Sequence, residues 1–143
     1  MLTVYGLAHC TTTQKAIKYL EAAGLEIKEL IDIRDQPPSE DLIQLAIQSQ
    51  GGQVRKILNT SGNLYRDMGL KDKLDTMKED EVIQLLTQNG MLIKRPLITD
   101  FTKASVSARE KVLNTVWVDS YFNVILLSRL QKFQTMLKLI RSI

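Results

Sequence analysis

The chain is poor in the residues that staple, ligate or punctuate a fold: among 143 residues there is one cysteine, one histidine, one tryptophan and three prolines. A single cysteine excludes an internal disulfide and any zinc or iron–sulfur centre built from several thiolates. The acidic residues show no paired spacing of the kind a carboxylate site uses, so no metal is expected. Long apolar runs are missing as well. None approaches the roughly 18 residues that a membrane span requires, and MLTVYGLAHC lacks the basic region and apolar stretch of a secretory signal. A cytoplasmic, reducing setting without a membrane partner is therefore expected. Strong charge is also lacking, because the net +3 divides into −2 over residues 1–100 and +5 over residues 101–143. That excess is too small and scattered to indicate nucleic-acid binding.

What is present suits a folded domain: 44% hydrophobic and 24% charged residues, at a length near the commonest domain size. LTVYGL (2–7) reads as a short strand. In KAIKYLEAAG, Ala16, Ile17, Leu20 and Ala23 fall at helical spacing, with Gly24 placed to stop the helix. LEIKELIDI (25–33) alternates apolar and polar residues, the period of a half-buried strand. Strand, helix and strand in so short a stretch predict a parallel βαβ unit with a right-handed crossover. After the Pro37-Pro38 break, Ser39 is placed to cap a helix that Gly51-Gly52 ends, and KEDEVIQLLTQNG (78–90) predicts another. Pro96 inside the apolar run MLIKRPLITD (91–100) fits an entry or edge strand, or a cis-proline turn, better than a central strand. From Val124 to Ile140 the chain reads as helix, with Trp117, Tyr121 and Phe122 before it as core or interface residues.

Cys10 lies between the first strand and the first helix. A thiol reacts as the thiolate, which is a minor species at neutral pH unless something stabilises it. A helix N-terminus supplies unpartnered N–H groups and a partial positive charge. Thr11, Thr12 and Thr13 add hydroxyls and Lys15 a cation, an arrangement that would also hold an oxyanion. His9 adjoins Cys10, but neighbours on an extended segment point apart, so no base role is assigned to it. An arginine six residues after the cysteine, as a phosphatase-type loop needs, is missing: position 16 is alanine.

The pattern Y-x-x-x-x-C-T-T-T-x-K-A, followed by IDIRDQPPS (31–39), KILNTSGNLYRDMGLKDKL (56–74) and NGMLIKRPLI (89–98), resembles the ArsC/Spx family of arsenate reductase-like proteins. The resemblance spans residues 1 to about 100. It implies an α/β fold: a thioredoxin-like mixed sheet with a helical insertion, about 39–90, after the second strand. It implies Cys10 as redox nucleophile, Arg95 as anion-binding arginine and Pro96 as a cis-proline shaping the substrate groove. A thiol-dependent oxidoreductase is thus expected, acting on a small oxyanion or a mixed disulfide. It would have no tightly bound cofactor, with glutathione or another small thiol as co-substrate and glutaredoxin as a possible partner. A Spx-like regulator that binds RNA polymerase is the alternative.

Three departures qualify the resemblance. Thr13 stands where Spx regulators carry a second cysteine, so oxidised Cys10 requires an external thiol. Asn59 stands where established arsenate reductases place another arginine; Arg66 is a candidate substitute, although an exposed surface arginine is the commoner case. Beyond Asp100, FTKASVSAREKVLNTVWVDSYF does not read as the family's glycine-containing hairpin and short final helix. Residues 101–143 are therefore expected to form an atypical, mostly helical segment: an extension, or an end that has replaced the expected strand.

Overall fold

In the computed structural model, which describes residues 1–143, four strands form one mixed sheet in the order β2-β1-β3-β4. Strand β1 (Leu2–Gly6) leads through helix α1 (Thr11–Ala22) to β2 (Ile27–Asp32), which lies parallel to β1. This is the predicted βαβ unit, and Gly24 turns the chain at φ 92°. Strands β3 (Leu97–Thr99) and β4 (Ala104–Val106) complete the sheet antiparallel, with Thr3 opposite Thr99 and Leu97 opposite Val106.

Side chains alternate across the strands and so feed two hydrophobic layers. Leu2, Val4 and Ile98 face Ala16 and Leu20 of α1, together with Leu113 and Trp117. Leu97, Ala104 and Val106 face the other way, into the larger core. There they meet the insertion: α2 (Glu40–Ser49), α3 (Asn63–Asp67), α4 (Leu70–Lys73) and α5 (Glu79–Gln88), with short 3₁₀ turns between them. Helix α2 starts as its sequence predicts, Leu42 N donating to Ser39 Oγ at 3.3 Å. Gly90 does more than end α5. A Cβ there would overlap the Ile33 carbonyl oxygen, so this glycine lets the insertion close against the end of β2.

Two expectations are corrected. The strand after Pro96 is central rather than an edge, because β4 covers its outer side. Nor is an edge strand lost beyond Asp100. Residues 101–103 make a hairpin turn without glycine, in which Asp100 Oδ1 accepts from Thr102 N (2.9 Å), Thr102 Oγ1 (2.7 Å) and Lys103 N (2.9 Å). Phe101 takes the left-handed conformation, φ 68°, that a glycine would otherwise supply. After α6 (Glu110–Leu113), a π-turn over Asn114–Val118 sets Trp117 into the core, its Nε1 donating to Ser105 Oγ at 2.8 Å. The long helix α7 (Asp119–Arg141) then carries no buried residue.

Candidate active site

Cys10 is the N-cap of α1, with extended backbone (φ −80°, ψ 120°), and its own N–H donates to Leu7 O at 3.0 Å. Thr13, one turn into the helix, is fully buried and its Oγ1 accepts from Leu7 N at 3.4 Å. Gly6 permits this packing, since a Cβ there would lie 2.6 Å from Thr13 Oγ1. Partial burial is the largest influence on the Cys10 thiol and opposes its ionisation. The Thr13 amide and hydroxyl, the Thr12 amide and the Arg95 guanidinium outweigh it together, so the thiol sits below its ordinary pKa.

One segment of the insertion and the segment that follows it deliver the far wall. Leu58 and Ile93 form an antiparallel bridge, with Asn59 N donating to Leu92 O (2.7 Å) and Lys94 N to Ile57 O (2.8 Å). This pairing brings Asn59, Lys94 and Arg95 to one rim. Arg95 Nη1 donates weakly to Met91 O at 3.4 Å, while its Nε is buried without a partner. The Arg95–Pro96 peptide is cis, as the sequence reading expected, and Pro96 O accepts from Ser107 N at 3.0 Å.

Cys10, Thr12, Asn59 and Arg95 open on a cleft of about 620 Å³. Lys56, Lys94 and Arg109 also line it, and no carboxylate does, so four cations face one thiol. Thr11 and Lys15 line an adjoining depression of about 330 Å³, with Arg109 shared between the two. His9 is exposed and outside both. Arg66 also lies outside them, donating to Asn63 Oδ1 on its own helix, so it does not substitute for the missing arginine. Thr13 lies beneath the site rather than in it: it holds the helix start and supports the thiolate, but does not line the cleft.

The residues that the sequence reading missed are Arg109, Lys56, Lys94 and Ser107. Ser107 sits at φ 98°, and its Oγ accepts from Arg109 N at 3.0 Å, fixing the turn from which Arg109 enters the cleft. The available signal was the S-x-R placed just before the acidic start of a helix. It was legible only if the strand before it was recognised.

The ArsC family model matches residues 5–116, from β1 through most of the π-turn. The chain belongs to the ArsC family. Among curated relatives, the uncharacterised protein YusI of Bacillus subtilis is 45% identical over 81% of this chain and 98% of its own length. An arsenate reductase of Escherichia coli is 28% identical over 68% of this chain and 67% of its own. The regulatory protein MgsR of Bacillus subtilis is 29% identical over 71% and 79%. Among solved structures, a possible arsenate reductase from Streptococcus mutans superposes with a TM-score of 0.69 at 39% identity, covering 76% of this chain and 92% of that one. The family match reaches beyond Asp100, in agreement with β4 being integral to the domain.

Proposed function

We propose that this ArsC-family protein is a thiol-dependent oxidoreductase that uses Cys10 as its single nucleophile and an external thiol of the glutathione type to complete the cycle. One observation carries the reading: a thiol held below its ordinary pKa faces a cleft lined by four cations and no carboxylate. Such a cleft favours an anionic substrate, and the planar Arg95 guanidinium suits an oxyanion or a carboxylate.

With arsenate, the Cys10 thiolate attacks arsenic and an arsenate oxygen leaves as water after protonation. An external thiol then attacks the Cys10 sulfur; arsenic departs with the S–As electron pair as arsenite, leaving a Cys10 mixed disulfide. A second thiol releases Cys10 and forms the external disulfide, so two thiols supply the two electrons. With a mixed disulfide as substrate, Cys10 displaces one thiolate and an external thiol displaces Cys10 in turn. Thr11, Thr12 and Lys15 flank the attack position, and Arg95 and Arg109 offset the negative charge that the substrate brings.

Coupled turnover with arsenate or with a glutathione mixed disulfide, each with and without glutaredoxin, tests the proposal. Turnover of either by wild type and not by Cys10→Ser supports it. No turnover of either, with an alkylation pKa at the ordinary thiol value, rejects it. Because Asn59 lies on the cleft wall, Asn59→Arg is expected to raise arsenate turnover about tenfold, by adding a partner for a doubly charged ligand. An unchanged rate would mean that Arg109 and the lysines already supply the charge.

The similarity to the regulatory protein MgsR supports a second reading, a regulator; binding to RNA polymerase is what the resemblance to Spx regulators implies for it. Gly51 and Gly52 form an exposed turn, with nothing within 4 Å of a Cβ at either position. Pull-down with the polymerase α subunit separates the two readings.

A further inference from the structure

Helix α7 leaves a long apolar stripe in water. Its first turns touch the body of the protein: Tyr121 lies against Gly24, and Val124 shares a shallow depression with Leu25 and Trp117. Beyond them no residue is buried. Phe122, Leu126, Leu130, Phe133 and Ile140 are each at least half exposed, at 54%, 57%, 50%, 52% and 57%. With Leu137 they follow one another at intervals of three or four residues and so share one face of the helix. Ser128, Gln131 and Thr135 lie on the opposite face, which also carries the exposed Val124 and Leu139.

The charges say what fits that stripe. From Ser120 to Ile143 there are four basic residues and no acidic one. Arg129 and Arg141 border the stripe on its two sides, and Lys132 and Lys138 lie further round the helix. The one acidic residue of α7, Asp119, lies in its first turn, so a second copy packed in parallel would bring these arginines together with no carboxylate beside them. Nor is α7, or any other helix here, long and apolar enough to cross a bilayer. An occupant must be apolar beneath and anionic above, which describes the interface of an anionic lipid layer.

We propose that α7 lies in the plane of an anionic lipid surface, with the Phe122–Ile140 stripe among the acyl chains and Arg129, Lys132, Lys138 and Arg141 among the headgroups. This revises the expectation of no membrane partner, which rested only on the lack of a spanning run. The arrangement is independent of the Cys10 chemistry and would tether the catalytic domain without entering its cleft.

The test is co-sedimentation of the full chain with vesicles of phosphatidylcholine alone, or containing about one-quarter phosphatidylglycerol, at low salt. Wild type is expected to bind the anionic vesicles about tenfold better than the neutral ones, and to be released as salt rises. The double variant Leu130→Glu with Phe133→Glu is expected to lose binding, and changing all four cations to Gln to reduce it to the neutral-vesicle level. An unchanged Cys10 alkylation rate in both variants shows that the domain remains folded. Two outcomes overturn the proposal: wild type remaining in the supernatant with both vesicles, or equal binding to both. A dimer in sedimentation equilibrium that Leu130→Glu with Phe133→Glu dissolves, without vesicle binding, also overturns it and assigns the stripe to a second copy.

Discussion

Cys10 is surrounded by groups that prefer its charged form, and this preference links its ionisation to stability. Its folded pKa lies below the unfolded one, despite burial, because of Thr13, Thr12 and Arg95. The stabilisation is therefore fully present above the unfolded pKa and is lost as pH falls through the folded pKa. Wild type is expected to gain stability relative to Cys10→Ser as pH rises across that window, measured by urea unfolding at several pH values. Alkylation rate against pH gives the same pKa kinetically, and Arg95→Gln is expected to move it upward. Ser107 acts one step further from the thiol. Its hydroxyl accepts from the Arg109 amide while its backbone is held at φ 98°. Ser107→Ala is expected to cost about 1 kcal/mol of stability. It should raise the KM for an anionic substrate several-fold and leave the Cys10 alkylation pKa unchanged. A shifted alkylation pKa would show that Ser107 acts on the thiol rather than through Arg109.

Among the elements, the β3–β4 hairpin has a turn held by side chains: Thr99 Oγ1 accepts from Phe101 N and donates to Lys103 O, both at 2.8 Å, and Asp100 adds three more bonds. The Asp100 carboxylate accepts from two backbone amides and one hydroxyl in place of a glycine turn. Partial burial is the largest influence on its pKa and raises it. The Thr102 hydroxyl, the Lys103 and Thr102 amides and the Lys103 charge outweigh burial and depress it. Asp100→Ala is expected to destabilise the protein by about 1–2 kcal/mol at neutral pH. Because the folded pKa is depressed, the difference from wild type should shrink as pH falls from the unfolded Asp value through the folded one. Thermal unfolding of both proteins between neutral and strongly acidic pH checks the sign. The hairpin matters to the site because β4 leads directly into Ser107 and Arg109.

On the scale of the whole molecule, the chain consists of a domain that closes at the π-turn and a helix that, beyond its first turns, closes on nothing within it. The last buried residues are Trp117 and Val118. A chain truncated after Val124 is expected to keep its unfolding midpoint within a few degrees and its Cys10 alkylation rate unchanged. A collapse of either would show that α7 braces the domain. The two hydrophobic layers, by contrast, depend on one another through the sheet between them.

Local chemistry was enough to read the first half of this protein. The βαβ unit, the Ser39 cap and the strand–cysteine–helix junction are set by residues close in sequence, where periodicity and capping act. The same holds for Cys10, whose activating amides belong to the next three residues. The second half depended on contacts across the chain. Strand β3 became central only because β4 paired with it, and β4 was concealed by a turn that Asp100 and Phe101 build without glycine. Lys56, Lys94 and Arg109 looked like ordinary surface cations until the Leu58–Ile93 bridge and the Ser107 turn brought them to one cleft. The sequence by itself determined that there is one thiol and where along the chain it is activated. Only the tertiary structure decided which cations face it, because their convergence is a property of pairing between distant segments that no local pattern encodes.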